Sequence, residues 1–226
     1  MDSASTLQQV VESGAFQELS PQLKVALFLG GMAFLSSALV TMTAFTRIVI
    51  VLSFVRRALA TQEIPPTQVI LGLSLFLTFF VMGPTFSTIE TDAIKPYLAE
   101  EISGDVAFQN AANAIHGFML AQTRRADIAL FRDMADRELV IQTAQDTPMR
   151  ILIPAYVISE LKTAFIMGFC LYIPFMLIDL VVSVILMSLG MMMMPPMIIS
   201  TPFKILLFVM VDGWQLIARV LSMSFH

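Results

Sequence analysis

Four apolar blocks of unequal length set out the architecture of the chain. The first, Val25–Thr46, carries no charge, and about 20 such residues span a bilayer core. Helical character continues through Arg47 to Arg57. Beyond the short basic turn RRALATQEIPP, a second uncharged block covers Ile64–Ile89. Together they predict a first helical hairpin over 25–89, preceded by a polar segment over 1–24. A third block runs from Ile151 to about Leu189 and a fourth from Met197 to Phe225. They predict a second hairpin over 151–226, turning at a methionine-rich stretch.

The third block is too long for a simple span. About 40 helical residues at 1.5 Å each reach about 60 Å, twice a bilayer core. It also carries Glu160, Lys162 and Asp179, and the fourth block carries Lys204, Asp212 and Arg219. Charges facing lipid are costly, so these six are expected to face protein or water. Pro154, Gly168 and Pro174 offer kink points. The expectation is a long, broken hairpin buried largely in other subunits.

Between the hairpins the pattern changes. Glu90–Arg150 holds 16 of the chain's 30 charged residues. Apolar positions at Ile115, Phe118, Met119, Ile128, Phe131 and Met134 predict amphipathic helices packed through Phe118, Met119, Ile128 and Phe131. Arg132 with Asp136, and Asp133 with Arg137, have the spacing of helix-surface pairs. Basic residues near spans mark the cytoplasmic side, so Arg47, Arg56 and Arg57 place the first turn there. The insert over 90–150 then lies outside, and the methionine turn returns to the cytoplasmic side.

Composition sharpens this picture. Of 226 residues, 13% are charged and the mean hydropathy is +0.81. Soluble domains carry about 25% charged residues, so the class is an all-α membrane or membrane-complex protein. A net charge of −4 gives no reason to expect nucleic acid as a partner. Cys170 is the single cysteine, so no intrachain disulfide can form; a small buried residue is its plain reading. Met1–Gln22 has no basic segment before the apolar run and does not resemble an ordinary cleavable signal peptide.

Candidate chemistry is sparse. His116 and His226 lie far apart and form no metal spacing with Cys170. Gly30-Gly31 falls inside an apolar helix, where close packing explains it better than a phosphate loop. No nucleophile has an evident base. The expectation is a non-enzyme with no catalytic, cofactor or metal residues.

The buried charges say more. In a hairpin turning near Met194, Asp179 and Asp212 come to similar depth, where two carboxylates repel unless they face different partners or one is protonated. Glu160 and Lys204 are offset by about 36 Å of straight helix and cannot pair within one hairpin. Pairing between neighbouring, axially shifted copies satisfies both, and solvation at helix ends is the alternative. Met191, Met192, Met193 and Met194 then lead into Pro195-Pro196, read as the residues that end the helix and turn the chain. A methionine-rich core turn is the plain explanation of that run.

Four motifs, in order, carry a resemblance: IPAYVISELKTAFIMGF (Ile153–Phe169), IPFMLIDLV (Ile173–Val181), LGMMMMPP (Leu189–Pro196) and TPFKILLFVMVDGWQL (Thr201–Leu216). The chain resembles the FliP family, core subunits of the flagellar protein-export gate, with SctR-type relatives in virulence secretion; DGWQL favours the flagellar branch. The resemblance implies a homo-oligomeric ring of about five copies, joined by FliR and FliQ, with FlhA and FlhB at its base. Such a complex sits in the bacterial inner membrane, in the flagellar basal body, and guides unfolded flagellar subunits outward without being an ATPase itself. Repeated around the ring, Met191–Met194 with Pro195 and Pro196 would form a deformable apolar gasket at the constriction, because unbranched methionine closes irregular gaps and still yields.

Two other readings compete. A small-solute transporter would place its buried charges at a midplane site and show symmetry between the hairpins, but the first hairpin lacks the acids of the second. A passive scaffold would dock other membrane subunits, and channel conductance after gate mutation separates it from an export channel.

Overall fold

The computed structural model describes residues 20–61, 64–135, 144–191 and 194–225. Among the described residues every regular element is helical. The chain begins with α1 (Pro21–Met42) and α2 (Phe45–Ala58), then α3 (Thr67–Val81) and α4 (Gly83–Ile89). A π-helical turn (Glu90–Ile94) leads to α5 (Lys95–Leu98), α6 (Gly104–Gln122) and α7 (Arg125–Met134). A single 3-10 turn (Ala144–Asp146) precedes α8 (Met149–Ser188), α9 (Pro196–Met210) and α10 (Gly213–Met223).

The first apolar block is divided where a single helix was expected. Helix α1 stops at Met42 and α2 starts at Phe45, with neither Pro nor Gly at the break. Threonines take over the backbone there: Thr46 Oγ1 donates to the Val40 carbonyl at 2.7 Å. The Thr43 carbonyl, freed by the break, accepts from Tyr156 Oη of α8 at 2.8 Å. Such side-chain bonds compete with the helical ladder. The break separates two kinds of helix: the most apolar stretch of α1 has no buried residue, whereas α2 is the centre of the core.

On α2 and its N-cap, Ala44, Ile48, Val51, Leu52, Val55 and Ala58 are all essentially inaccessible. This is the i, i+3, i+4, i+7 face that buries one side of a helix. It packs along the first half of α8 in parallel, with Arg47 beside Glu160 and Phe54 edge-on to Phe165 at 5.5 Å. Gly168 makes that contact possible, since a Cβ there would lie 2.6 Å from the Phe54 ring. Gly168 therefore serves close packing rather than the kink its sequence position suggests. Helix α3 runs back against α2, with Arg56 Nη1 donating to Thr67 Oγ1 at 2.9 Å.

Helix α8 is continuous over 40 residues, with Pro154 and Pro174 inside it. The break expected there falls instead in the return leg, where α9 and α10 meet at 63°. Asp212 provides the bend in a left-handed conformation (φ 50°), and Gly213 lies so close to the Phe208 ring that a Cβ would sit 2.3 Å from it. A second bend of 57° divides α3 from the α4–α5 run, at Gly83-Pro84. Two helices, α1 and α8, are long and apolar enough to cross a membrane, or up to four spans if each bent pair counts as one.

Helices α6 and α7 pack on α8. Met119 is fully buried against Leu152 and Tyr156, and Phe118 stands edge-on to Tyr156 at 6.2 Å. Ile128 and Phe131 are half-buried. Polar bonds fasten the same face: His116 Nε2 meets the Thr147 carbonyl at 2.8 Å, and Arg124 N donates to Ser159 Oγ at 3.0 Å. Asp136 and Arg137 lie outside the described residues; Arg132 pairs with its neighbour Asp133 at 3.3 Å.

Candidate functional site

Two charged centres and one turn sit along α8. The deepest centre is built on Arg47, 2% exposed, and Glu160, fully buried. The guanidinium fork grips the carboxylate from two nitrogens, with Arg47 Nε donating to Oε2 at 2.9 Å and Nη2 to Oε1. Its remaining donors are used as well: Nη2 to Gln122 Oε1 at 3.2 Å, and Nη1 to the Ser224 carbonyl at 2.8 Å. The Phe225 ring lies 3.8 Å from the guanidinium carbon, a cation–π contact. Gln122 Nε2 closes the ring of contacts by donating to the Phe225 carbonyl at 3.0 Å. One side chain thus joins α2, the end of α6, α8 and the segment after α10.

A buried pair of this kind is tolerable because its geometry is bidentate and its spare donors are satisfied. No buried side-chain nitrogen or oxygen among the described residues lacks a partner. This corrects the reading of Arg47 as a basic residue marking a membrane face: it is an internal counter-ion. The signal available in sequence was its position on the apolar face that Ile48, Val51 and Val55 define. Gln122, Ser224 and Phe225 carried no such signal.

The second centre lies further along α8. Lys204, 2% exposed, donates to Asp179 Oδ2 at 2.6 Å, and Ser200 Oγ donates to Oδ1 at 2.6 Å. Phe175 and Phe208 face each other at 6.4 Å in the same register. Glu160 and Lys204 do lie too far apart along the hairpin to meet, but each has a partner in its own chain. A pairing between copies is therefore not needed to satisfy either charge. Asp179 and Asp212 do not come to one depth either, since Lys204, not Asp212, stands opposite Asp179.

The methionine turn is built differently from its sequence-based reading. Gly190, at φ 74°, ends α8: Met191 N reaches the Leu186 carbonyl at 3.0 Å and Gly190 N the Met187 carbonyl at 3.1 Å. This is a Schellman ending, for which a left-handed glycine is the usual device. Pro195 and Pro196 begin α9 instead of ending α8, at the helix-start positions where a missing N–H costs nothing. Met191 and Met194 are 41% and 39% exposed, so the turn is not a core for this chain. Met192 and Met193 lie outside the described residues.

Among the described residues no three His, Cys, Asp or Glu side chains gather as metal ligands. The described residues offer apolar surface, a methionine-bearing turn and fixed internal charge.

Known proteins resemble this chain over most of its length. The sequence pattern of the FliP family matches residues 28–221. A flagellar biosynthetic protein FliP of Bacillus subtilis is 51% identical over 209 residues, covering 92% of this chain and 94% of the relative. Its counterpart in Pectobacterium carotovorum is 51% identical over 219 residues, covering 97% and 84%. That of Aquifex aeolicus is 44% identical over 209 residues, covering 92% and 87%. With its buried charges, proline-started return leg and methionine turn inside the matched region, the chain belongs to the FliP family.

Proposed function

We propose that the chain is a channel-forming core subunit of the flagellar type III protein-export gate in the bacterial inner membrane, assembled as about five copies with FliR and FliQ. FlhA and FlhB stand at its base, and unfolded flagellar subunits pass through it. Its role is to line and seal the conduit, with no catalytic step of its own. Family membership carries this reading. The exposed, apolar second half of α8 and α9 supports it, since a monomer leaves that surface uncovered.

In this proposal the turn from Met191 to Pro196 is the seal. Gly190 and Pro195-Pro196 fix both ends of the turn, and unbranched methionine is the side chain suited to closing irregular gaps and yielding again. A ring of such turns excludes ions by dewetting. The insert over 90–150 lies on the extracytoplasmic side, because Arg56 and the exposed Arg57 still mark the first turn as cytoplasmic. Labelling of Asp105→Cys by an impermeant thiol reagent in intact cells tests that side; labelling only after lysis would reverse it.

The test of the whole reading joins genetics to mass measurement. In a strain lacking its own copy, the chain is expected to restore secretion of hook and filament subunits and to purify in a complex of several copies. A monomer with no copurifying subunits would overturn the proposal.

A further inference from the structure

Three of the six charges of the third and fourth apolar blocks are accounted for inside the chain: Glu160 with Arg47, and Asp179 with Lys204. Lys162, Asp212 and Arg219 are exposed and bond through their side chains to no described residue. Lys162 stands on α8 among the exposed Ile158, Phe165 and Phe169. An unpaired charge in such surroundings needs a partner or water.

Asp212 could have a local explanation. Aspartate tolerates the left-handed conformation it adopts, and at a helix N-cap its carboxylate ordinarily accepts a backbone N–H. Here it caps nothing. The carboxylate borders a shallow hollow of about 210 Å³ lined by Val211, Asp212, Gln215, Leu216 and Arg219. Asp212 and Arg219 lie two turns apart, about 10 Å along the helix, and so do not neutralise each other.

Nor can Asp212 reach Lys162 in its own chain. Phe208 faces Phe175, and Asp212 lies one turn further on, level with Leu171. Lys162 is then about nine residues away along α8, about 13 Å. We infer that Lys162 of one copy enters the hollow of a neighbouring copy and pairs with its Asp212, the two copies being shifted along the helix axis by that distance. Arg219 at the far end of the hollow repels the ammonium group and so sets which end receives it. The inference rests on the multi-copy assembly proposed above and adds which side chains join one copy to the next.

The test uses the assembled complex with Cys170→Ser. A chain carrying Lys162→Cys and a differently tagged chain carrying Asp212→Cys are co-expressed and treated with a short bifunctional thiol reagent. A covalent dimer bearing both tags is expected within complexes of parental mass. Single reversals, Lys162→Glu or Asp212→Lys, are expected to lower the yield of assembled complex by roughly tenfold or more, as one charge is left alone, and the double reversal to restore it. If complexes of parental mass give no mixed dimer, or the double reversal is no better than the worse single one, the pairing is wrong while the export-gate reading stands. Free labelling of Asp212→Cys by a water-soluble thiol reagent in the assembled complex would also overturn it, placing the hollow on a wet lumen. A parent chain that runs as a monomer would overturn both.

Discussion

Both halves of α8 are apolar in sequence, the first interrupted by Arg150, Glu160 and Lys162 and the second only by Asp179, and they are used in opposite ways. In the first half, Ile151, Leu152, Ala155, Tyr156, Ser159, Glu160, Ala164 and Gly168 are buried beneath α2, α6 and α7. In the second, Phe175, Val182 and Leu186 are buried, while Leu177, Leu180, Val181, Val184, Ile185 and Met187 stay exposed. The first half is the chain's own core, fastened by the Arg47–Glu160 clamp. The second meets α9 and otherwise offers its surface outward. Hydropathy reports that a residue avoids water; it does not report whether the same chain supplies the cover.

Breaking the clamp should have the largest effect on folding. Glu160→Ala leaves Arg47 buried and uncompensated, and losing one partner of such a pair costs about 3–5 kcal/mol. Thermal unfolding of the detergent-extracted protein should show this loss. Replacing both partners, Arg47→Met with Glu160→Leu, should recover most of it, because no lone charge remains. A double variant as unstable as the single one would mean that the clamp's bonds to Gln122 and Ser224, not the lone charge, dominate.

A smaller effect is expected at the closest approach of α2 and α8. Gly168→Val drives a branched side chain into the Phe54 ring, and overpacking of this kind costs about 1–3 kcal/mol. Adding Phe54→Ala should relieve part of the clash, so the two changes together should cost less than their sum. Strict additivity in the same unfolding measurement would show that the helices part without strain. Smaller again is Tyr156→Phe, which leaves the Thr43 carbonyl without its donor and should cost about 1 kcal/mol.

The sequence made the helical class, the polar insert and the long second hairpin legible because each depends on pattern over many residues. Met119 and Phe118 were identifiable as core because their helix is amphipathic. The partners of single charges were not legible. Arg47 meets Glu160 across 113 positions of sequence, and only the parallel packing of α2 on α8 brings them together. The roles of Gly190 and Pro195-Pro196 were misassigned for a local reason. A proline pair after an apolar run signals a boundary, but the same residues serve to begin a helix, and the stop had already been made by a left-handed glycine.

The smallest effect on folding is expected at the far end of α8. Met191→Ala with Met194→Ala removes two partly exposed side chains from a turn whose ends are held by backbone geometry, so unfolding should change little. Its effect should appear in ion conductance through the assembled complex. These variants, made together with Met192→Ala and Met193→Ala, are expected to assemble at parental mass, conduct ions where the parent is closed, and still pass protein. Conductance as low as the parent's in normally assembled variants would show that the methionine turn is not the seal.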